Sequence, residues 1–428
     1  MASEADAIAA AVLGEFDKLP NKRKPPIRGN GIHEWVPLSG IVARGGRTSS
    51  YTCLSLATGM KCLPAPKVPH AKGIILHDWH AEILAIRAFN HFVLEECRNL
   101  AMGLSASEYL RVRSAEEIAQ TNSDEWWSGQ PFAWREDVSL HMYCSEAPCG
   151  DASMELVMAA QEDSTPWEVP PGCGPSSPAE GGGDLPGRAY FSRLGVVRRK
   201  PARGDAPQTL SKSCSDKLAM SQCASLLSSP ASLLVSPRGV YLRTLILPEP
   251  QHSEEGCRRS FSADGRMRDV AAAGHQLWPG GYGFHPFDVR PTSPGVDFDF
   301  SRRRAAARAP RGSGARIAPS PQAVAWNRAG LEEGVMAGVQ QGRKQTDPKG
   351  ASVLCRAGMW GRALSVASSA VLLGAGAVAV RKVLSEAATY KELKQSELLQ
   401  ARAHVKEQVK ATGLKGWVGN VADDQFSL

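Results

Sequence analysis

The stretch HDWHAEILAIRAF, residues 77–89, decides how the chain is read. Within and beyond it Ile83, Ile86, Phe89, Val93 and Cys97 recur at three- and four-residue intervals, so the spacing predicts an amphipathic helix from about His80 to Arg98. Asp78 stands just ahead of it as the expected N-cap. Upstream, Gly73 to His77 reads as a short buried strand, residues 34–44 and 50–56 as two further strands, and the first twenty residues as a helix broken at Pro20. Downstream, VSLHMYC (138–144) reads as a strand that runs through APCGD (147–151) into a helix over 153–161, with Pro148 at the helix start. Strands alternating with helices predict an α/β fold.

A chain of 428 residues can bury a large core, either as one large domain or as two to three ordinary ones. Its hydrophobic content of 43% and ten Trp fit a globular protein. Fifty Lys and Arg against 43 Asp and Glu leave a charge of +7, an excess that suits an anionic partner without demonstrating one. Ten cysteines spread from Cys53 to Cys355 in a chain too large to need disulfide staples point to reduced thiols. The acidic start MASEAD lacks the basic and apolar segments of a secretory signal, so an intracellular location is expected, nuclear or cytoplasmic. Residues 363–380 form an uncharged run rich in Ala, Ser and Gly, which suits a buried helix better than a membrane span. Residues 165–187 and 291–322, rich in Pro, Gly, Ser and Arg, are expected to be flexible insertions. Residues 384–411 are charged and helical in pattern, and lead to LKGWV (414–418).

Chemistry concentrates where these elements meet. His80-Ala81-Glu82 opens one helix, and Pro148-Cys149 opens another about seventy residues later. Hydrolytic deamination of a nucleobase needs a borderline metal held by imidazole and thiolate with one position left for water, and zinc meets that need. A carboxylate off the metal must carry the proton, and Glu82 has the spacing for it. The usual P-C-x-x-C pattern is broken here, because Ala152 stands three residues after Cys149. Cys173, Cys214, Cys223 and Cys257 are the downstream candidates for the missing ligand, and Cys214, in the capping-rich stretch SKSCSDK, is placed ahead of Cys223. The bland alternatives are an H-x-E triplet on a helix by chance and Cys149 as a small buried apolar residue. His91 reads as a packing residue and Cys144 as core.

At these residues the chain resembles the eukaryotic tRNA-specific adenosine deaminases that act on alanine tRNA, and more distantly the adenosine deaminases that act on double-stranded RNA. The segments that carry the resemblance are NGIHEWVPLSGIVA (30–43), ATGMKCLP (57–64), HDWHAEILAIRAF (77–89), CSEAPCGDASM (144–154), KPARGDAPQTLSKSCSDKLA (200–219), QGRKQTDPKGAS (341–352) and LKGWV (414–418). The resemblance implies a cytidine-deaminase-like three-layer α/β fold, with a central mixed sheet flanked by helices and extended by C-terminal helices, and one deaminase domain over residues 1–428. It implies His80, Cys149 and Cys214 as zinc ligands, Glu82 as the proton carrier, and conversion to inosine of the adenosine 3′ of the anticodon in alanine tRNA. No segment resembles a double-stranded-RNA-binding domain, which points to tRNA, and neither DNA nor a membrane is expected. The relatives also bury inositol hexakisphosphate, and Arg87, Lys217, Lys394 and Trp417 match that pattern, although Ile86 and Met220 stand where the RNA-editing relatives have arginines. Lys61, Lys200 and Arg203 are expected to contact RNA. Two other readings compete: a nucleoside deaminase, disfavoured by the chain's length and its broken P-C-x-x-C, and an inactive RNA-binding relative with structural zinc, against which Glu82 speaks.

Overall fold

The computed structural model describes residues 3–45, 48–119, 126–165, 185–186, 190–200, 206–273, 278–309, 317–369, 375–420 and 422–428. At its centre is an eight-stranded mixed sheet of β1 (Leu38–Gly45), β2 (Thr48–Thr58), β3 (Val138–Cys144), β4 (Leu242–Leu247), β5 (Asp288–Pro291), β6 (Ala323–Asn327), β7 (Glu332–Met336) and β8 (Val339–Gln340). The strand order is β5-β4-β3-β1-β2-β6-β7-β8. β3, β4 and β5 run parallel, and the remaining neighbours are antiparallel.

Alternation along the strands builds three layers. Ile41 and Ala43 of β1, Leu54 of β2, Leu140 and Met142 of β3 and Leu245 of β4 join one core with Leu84, Ala88 and Phe89 of helix α2 (Ala81–Ala101). Their neighbours Val42, Cys53, Leu56, Tyr143 and Ile246 join a second core with Ile8, Val12 and Phe16 of helix α1 (Glu4–Asp17). A side-chain period of two therefore gives every central strand two apolar faces, and a helical layer covers each. α1 lies so close to β1 that a Cβ added at Gly40 would stand 2.6 Å from Val12 Cγ1.

Several expectations change. The segment 73–77 is turns rather than a strand, since its groups bond to separate partners: Gly73 N to Asp423 Oδ1, Leu76 N to Gly338 O, and His77 O from Leu63 N. The strand expected over 34–44 splits, with His33–Trp35 pairing in parallel with Ile317–Pro319 and β1 starting after Pro37. Within 291–322, expected as a flexible insertion, lie the helix Arg302–Arg308 and the strand Ile317–Pro319. Phe298 is buried there against Phe16, and the Asp297 side chain, 3% exposed, pairs with Arg303 and Arg304. Residues 310–316, and nearly all of the 165–187 insertion, fall outside the described residues.

The run 363–380 is divided between α4 (Arg356–Ala367) and α5 (Ala375–Glu386). Among the described residues no helix is long and apolar enough to cross a membrane. The charged C-terminal stretch continues as α6 (Tyr390–Gln395) and α7 (Gln400–Ala411).

Helix α3 (Cys214–Ala224) is anchored by its own first turn. The Ser213 side chain accepts from Asp216 N, and the Asp216 carboxylate accepts from Ser213 Oγ at 2.6 Å, Arg198 N at 3.0 Å and Arg266 Nη1 at 2.6 Å. The Asp216 and Arg266 side chains are 0% and 4% exposed, so removing one leaves the other buried without its partner. Asp216→Ala is therefore expected to destabilise the fold by about 3–5 kcal/mol in urea unfolding, and a loss below about 1 kcal/mol would show that water replaces the carboxylate.

Candidate metal centre and polyanion cavity

Three loops deliver the donors. His80 is the N-cap residue of α2, with extended backbone, and its N–H donates to Asp78 Oδ1 at 3.0 Å. Asp78, expected as the helix cap, thus braces His80 instead. β3 ends at Cys144 and the chain turns through Pro148-Cys149-Gly150 before a helical turn begins at Asp151, so Cys149 precedes its helix rather than opening it. Gly150 has φ of 106°, and a Cβ there would lie 2.2 Å from Ser213 Oγ. That close approach lets the two cysteine loops touch: Cys214 N donates to Cys149 Sγ at 3.4 Å, and Ser215 N donates to Cys149 O at 3.0 Å.

The ligating atoms of His80, Cys149 and Cys214 all lie within 4.8 Å of one another. Cys149 Sγ and His80 Nδ1 are 3.8 Å apart. A tetrahedral zinc with sulfur at about 2.3 Å and nitrogen at about 2.0 Å would set them roughly 3.5 Å apart, so the donor set fits such an ion. Charge supports the same fit. The Cys214 thiol lowers the Cys149 pKa well below the usual thiol range, with Lys200 and His80 adding to it against burial, while burial and the Cys149 charge raise the Cys214 pKa well above that range. The pair by itself thus carries one negative charge, and both thiols ionise together only around a cation. Burial and Lys200 oppose a charge on His80, yet Cys149 and Cys62 outweigh them and push its pKa up to about 10. Glu82 is buried in the first turn of α2, and burial together with the Cys149 charge raises its carboxyl pKa. Cys223, the competing third ligand, is buried in α3 and is not in the cluster.

Asp78 joins this cluster to a second feature. Its Oδ2 accepts from Lys200 Nζ at 2.8 Å, from Ser211 Oγ at 2.7 Å and from Lys217 Nζ. Lys217 in turn lines a cavity of about 530 Å³, together with Arg87, Lys394 and Trp417. The four residues matched to inositol phosphate are thus brought to one cavity, whose wall also includes Ile86 and Met220. Arg356, Arg402, Lys406 and Lys410 line it too. These four were missed from sequence, although Arg402, Lys406 and Lys410 recur every fourth residue on α7 and that spacing was readable. Arg402, with burial, Lys410 and Lys394, holds Lys406 well below the usual lysine range, and burial with Arg356 lowers Arg87.

The expected RNA contacts separate. Lys61 is exposed. Lys200 is 4% exposed and lies 3.2 Å from Cys214 Sγ, so it faces the cysteine cluster and not a phosphate backbone. Arg203 falls outside the described residues.

A three-layer mixed sheet carrying His and Cys donors at adjoining helix starts, beside a buried H-x-E carboxylate, is the architecture of the nucleobase deaminases. The family model of the adenosine-deaminase (editase) domain matches residues 55–421, and the chain belongs to that family. It is 35% identical over 356 residues to tRNA-specific adenosine deaminase 1 of Schizosaccharomyces pombe, covering 82% of this chain and 83% of that protein. The Saccharomyces cerevisiae protein of the same name is 34% identical over 253 residues, 57% of this chain and 58% of that one. The mouse double-stranded RNA-specific adenosine deaminase aligns over 149 residues at 28% identity, 35% of this chain and 11% of that protein.

Two measurements follow. Cys214→Ser is expected to lose bound metal in elemental analysis of folded protein, whereas Cys223→Ser keeps it; the reverse pattern would remove Cys214 from the centre. Glu146, in the loop before Cys149, accepts from Arg302 N at 3.1 Å, and burial pushes its carboxyl up to about 7. Between its ordinary value of 4.5 and about 7 the folded protein binds more protons than the unfolded chain, so this group's contribution to stability falls as pH rises through that window. Glu146→Gln should accordingly match wild type near pH 4 and exceed it at pH 8, on the order of 1–3 kcal/mol in urea unfolding. An equal gain at both pH values would mean that the carboxyl is not the cause.

Proposed function

We propose that the chain is a zinc-dependent hydrolase that converts adenosine to inosine in tRNA, acting on the adenosine 3′ of the anticodon of alanine tRNA. The observation that carries this is the meeting of His80, Cys149 and Cys214 beside the buried Glu82 carboxyl. The tRNA substrate is supported by the relatives that align over most of the chain, which are tRNA-specific adenosine deaminases. An anticodon loop presents unstacked bases, which lowers the cost of bringing one into a pocket.

Zinc, when bound, supplies Lewis acidity that draws the pKa of a water from about 15.7 toward about 7. The protein's own part falls to Glu82. Its carboxylate takes the proton from the attacking water and delivers it to the ring nitrogen beside C6. As the C6–O bond replaces C6–N, a second proton passes through the same carboxyl to the departing ammonia. A raised carboxyl pKa suits a group that must give its proton back. Asp78 fixes the His80 backbone, and Lys200 offsets thiolate charge at Cys214.

Inositol hexakisphosphate is proposed for the cation-lined cavity. Its walls crowd Arg87, Lys217, Arg356, Lys394, Arg402, Lys406 and Lys410 around about 530 Å³, and Arg402, burial, Lys410 and Lys394 hold Lys406 well below the usual lysine range there. A polyphosphate would favour the charged form of Lys406, and Ile86 and Met220 leave those two wall positions uncharged.

Incubation with alanine tRNA transcripts followed by inosine mapping tests the activity. Glu82→Gln should keep zinc and lose about 10²–10⁴-fold in rate; a variant that retains the wild-type rate would refute the proton-carrying role. Acid denaturation of purified protein should release one inositol phosphate per chain, and none released would leave the cavity's charge without this explanation.

A further inference from the structure

Two loops outside the catalytic centre build a basic surface next to it. The first runs from Lys61 to Lys72 and the second over residues 341–350, after β8. They are held together by Lys67 Nζ donating to Gln345 Oε1 at 3.1 Å, while Gln345 Nε2 donates to Ala337 O at 2.6 Å. Lys61, Lys67, Lys72, Arg343, Lys344 and Lys349 are all exposed. None of them forms an ion pair with a described residue. The one acid in these loops, Asp347, turns its side chain to Lys349 N at 2.9 Å to cap a helical turn.

The surface is continuous with the catalytic centre through the backbone. Lys61 O accepts from Trp79 N at 3.0 Å, Leu63 N donates to His77 O at 2.9 Å, and Cys62 forms a β-bridge with Asp78. The first loop therefore runs alongside the segment that presents His80. Some exposed arginines elsewhere are answered by carboxylates, as Arg303 is by Asp297, Arg308 by Asp299 and Arg290 by Glu4. Here six exposed cations crowd two adjoining loops that hold one acid, Asp347, and the repulsion among them is relieved when an anion binds.

We infer that these two loops form a docking surface for the phosphodiester backbone of a folded tRNA, outside the anticodon loop. This rests on the tRNA reading above and deepens it. Five of the six cations are lysines and no Phe, Tyr or Trp interleaves with them, only the exposed His70, a composition that holds phosphates as point charges more than it stacks bases. Such a surface fixes the orientation of the duplex arm while a single base enters the pocket. It contributes affinity independent of sequence, leaving selection of the base to the pocket.

The test compares wild type with the combined Lys67→Ala, Arg343→Ala, Lys344→Ala and Lys349→Ala variant. Binding to full-length alanine tRNA and to its isolated anticodon stem–loop is measured across a salt series, alongside kinetics and circular dichroism. Removing four phosphate contacts should lower the slope of log affinity on log salt by about 3. Affinity for full-length tRNA should drop at least tenfold, the stem–loop should lose less, and the loss should fall on KM rather than kcat. Replacing the three lysines by arginine, with Arg343 kept, should restore binding. Unchanged affinity and slope for the alanine variant overturn the inference while the deaminase reading stands. An equal loss for tRNA and stem–loop also overturns it, because the contacts would then lie at the anticodon itself. Failure of wild type to make inosine in any tRNA sinks the reading beneath it instead.

Discussion

The Asp78 carboxylate is the constraint on which the site depends. It is 5% exposed, yet it meets Lys200, Lys217, Ser211 and the His80 backbone. An isolated carboxylate at that depth would give up its charge. Here burial is overcome by Lys200, Lys217 and His80, which hold its pKa well below the usual carboxylate range. Lys200 in turn would be neutral at its depth, but Asp78 and Cys214 keep its pKa well above the lysine norm against burial. Each charge is tolerable only because the next is present, so cysteine cluster, carboxylate and cation cavity form one electrostatic unit.

That coupling extends to the C-terminal segment. Asp423 is 4% exposed and accepts from Gly73 N and Arg356 Nη1, and shares a hydrogen bond with His77 Nε2, one residue before Asp78. Asp424 takes Lys394 at 3.1 Å, and Phe426 stacks on Tyr390. Two carboxylates near the end of the chain thus meet cations at the edge of the cavity, and they tie the last residues to the loop that presents His80. The C-terminal helices are therefore part of the site's charge balance and not an appendage to the sheet.

The sequence made the local chemistry legible because that chemistry is carried by short-range pattern. H-x-E at a helix start, SCSDK with its capping serine, and the periodic face of α2 all depend on neighbours within a turn or two, and the structure has those elements where the pattern sets them. What failed to be read depends on partners outside the local repeat, many of them more than a hundred residues away. Lys200 looks like part of a solvated basic run until Asp78 is brought beneath it. Gly73 to His77 has the composition of a strand, but its hydrogen-bond partners are Asp423, Gly338 and Leu63. The Arg-rich stretch after residue 291 looks unstructured until Phe298 finds Phe16 on α1 and Asp297 collects two arginines.

The same distinction explains how one fold can divide its cations between two tasks. Arg402, Lys406 and Lys410 on α7 face inward, where an unfilled cavity would be costly and charge must be met in kind. The lysines of the two loops face water, where high dielectric makes an unpaired charge cheap and leaves it available to a mobile anion. Sequence shows both as basic residues. Only the depth of the side chain separates a cation crowded against others in a cavity from one open to solvent.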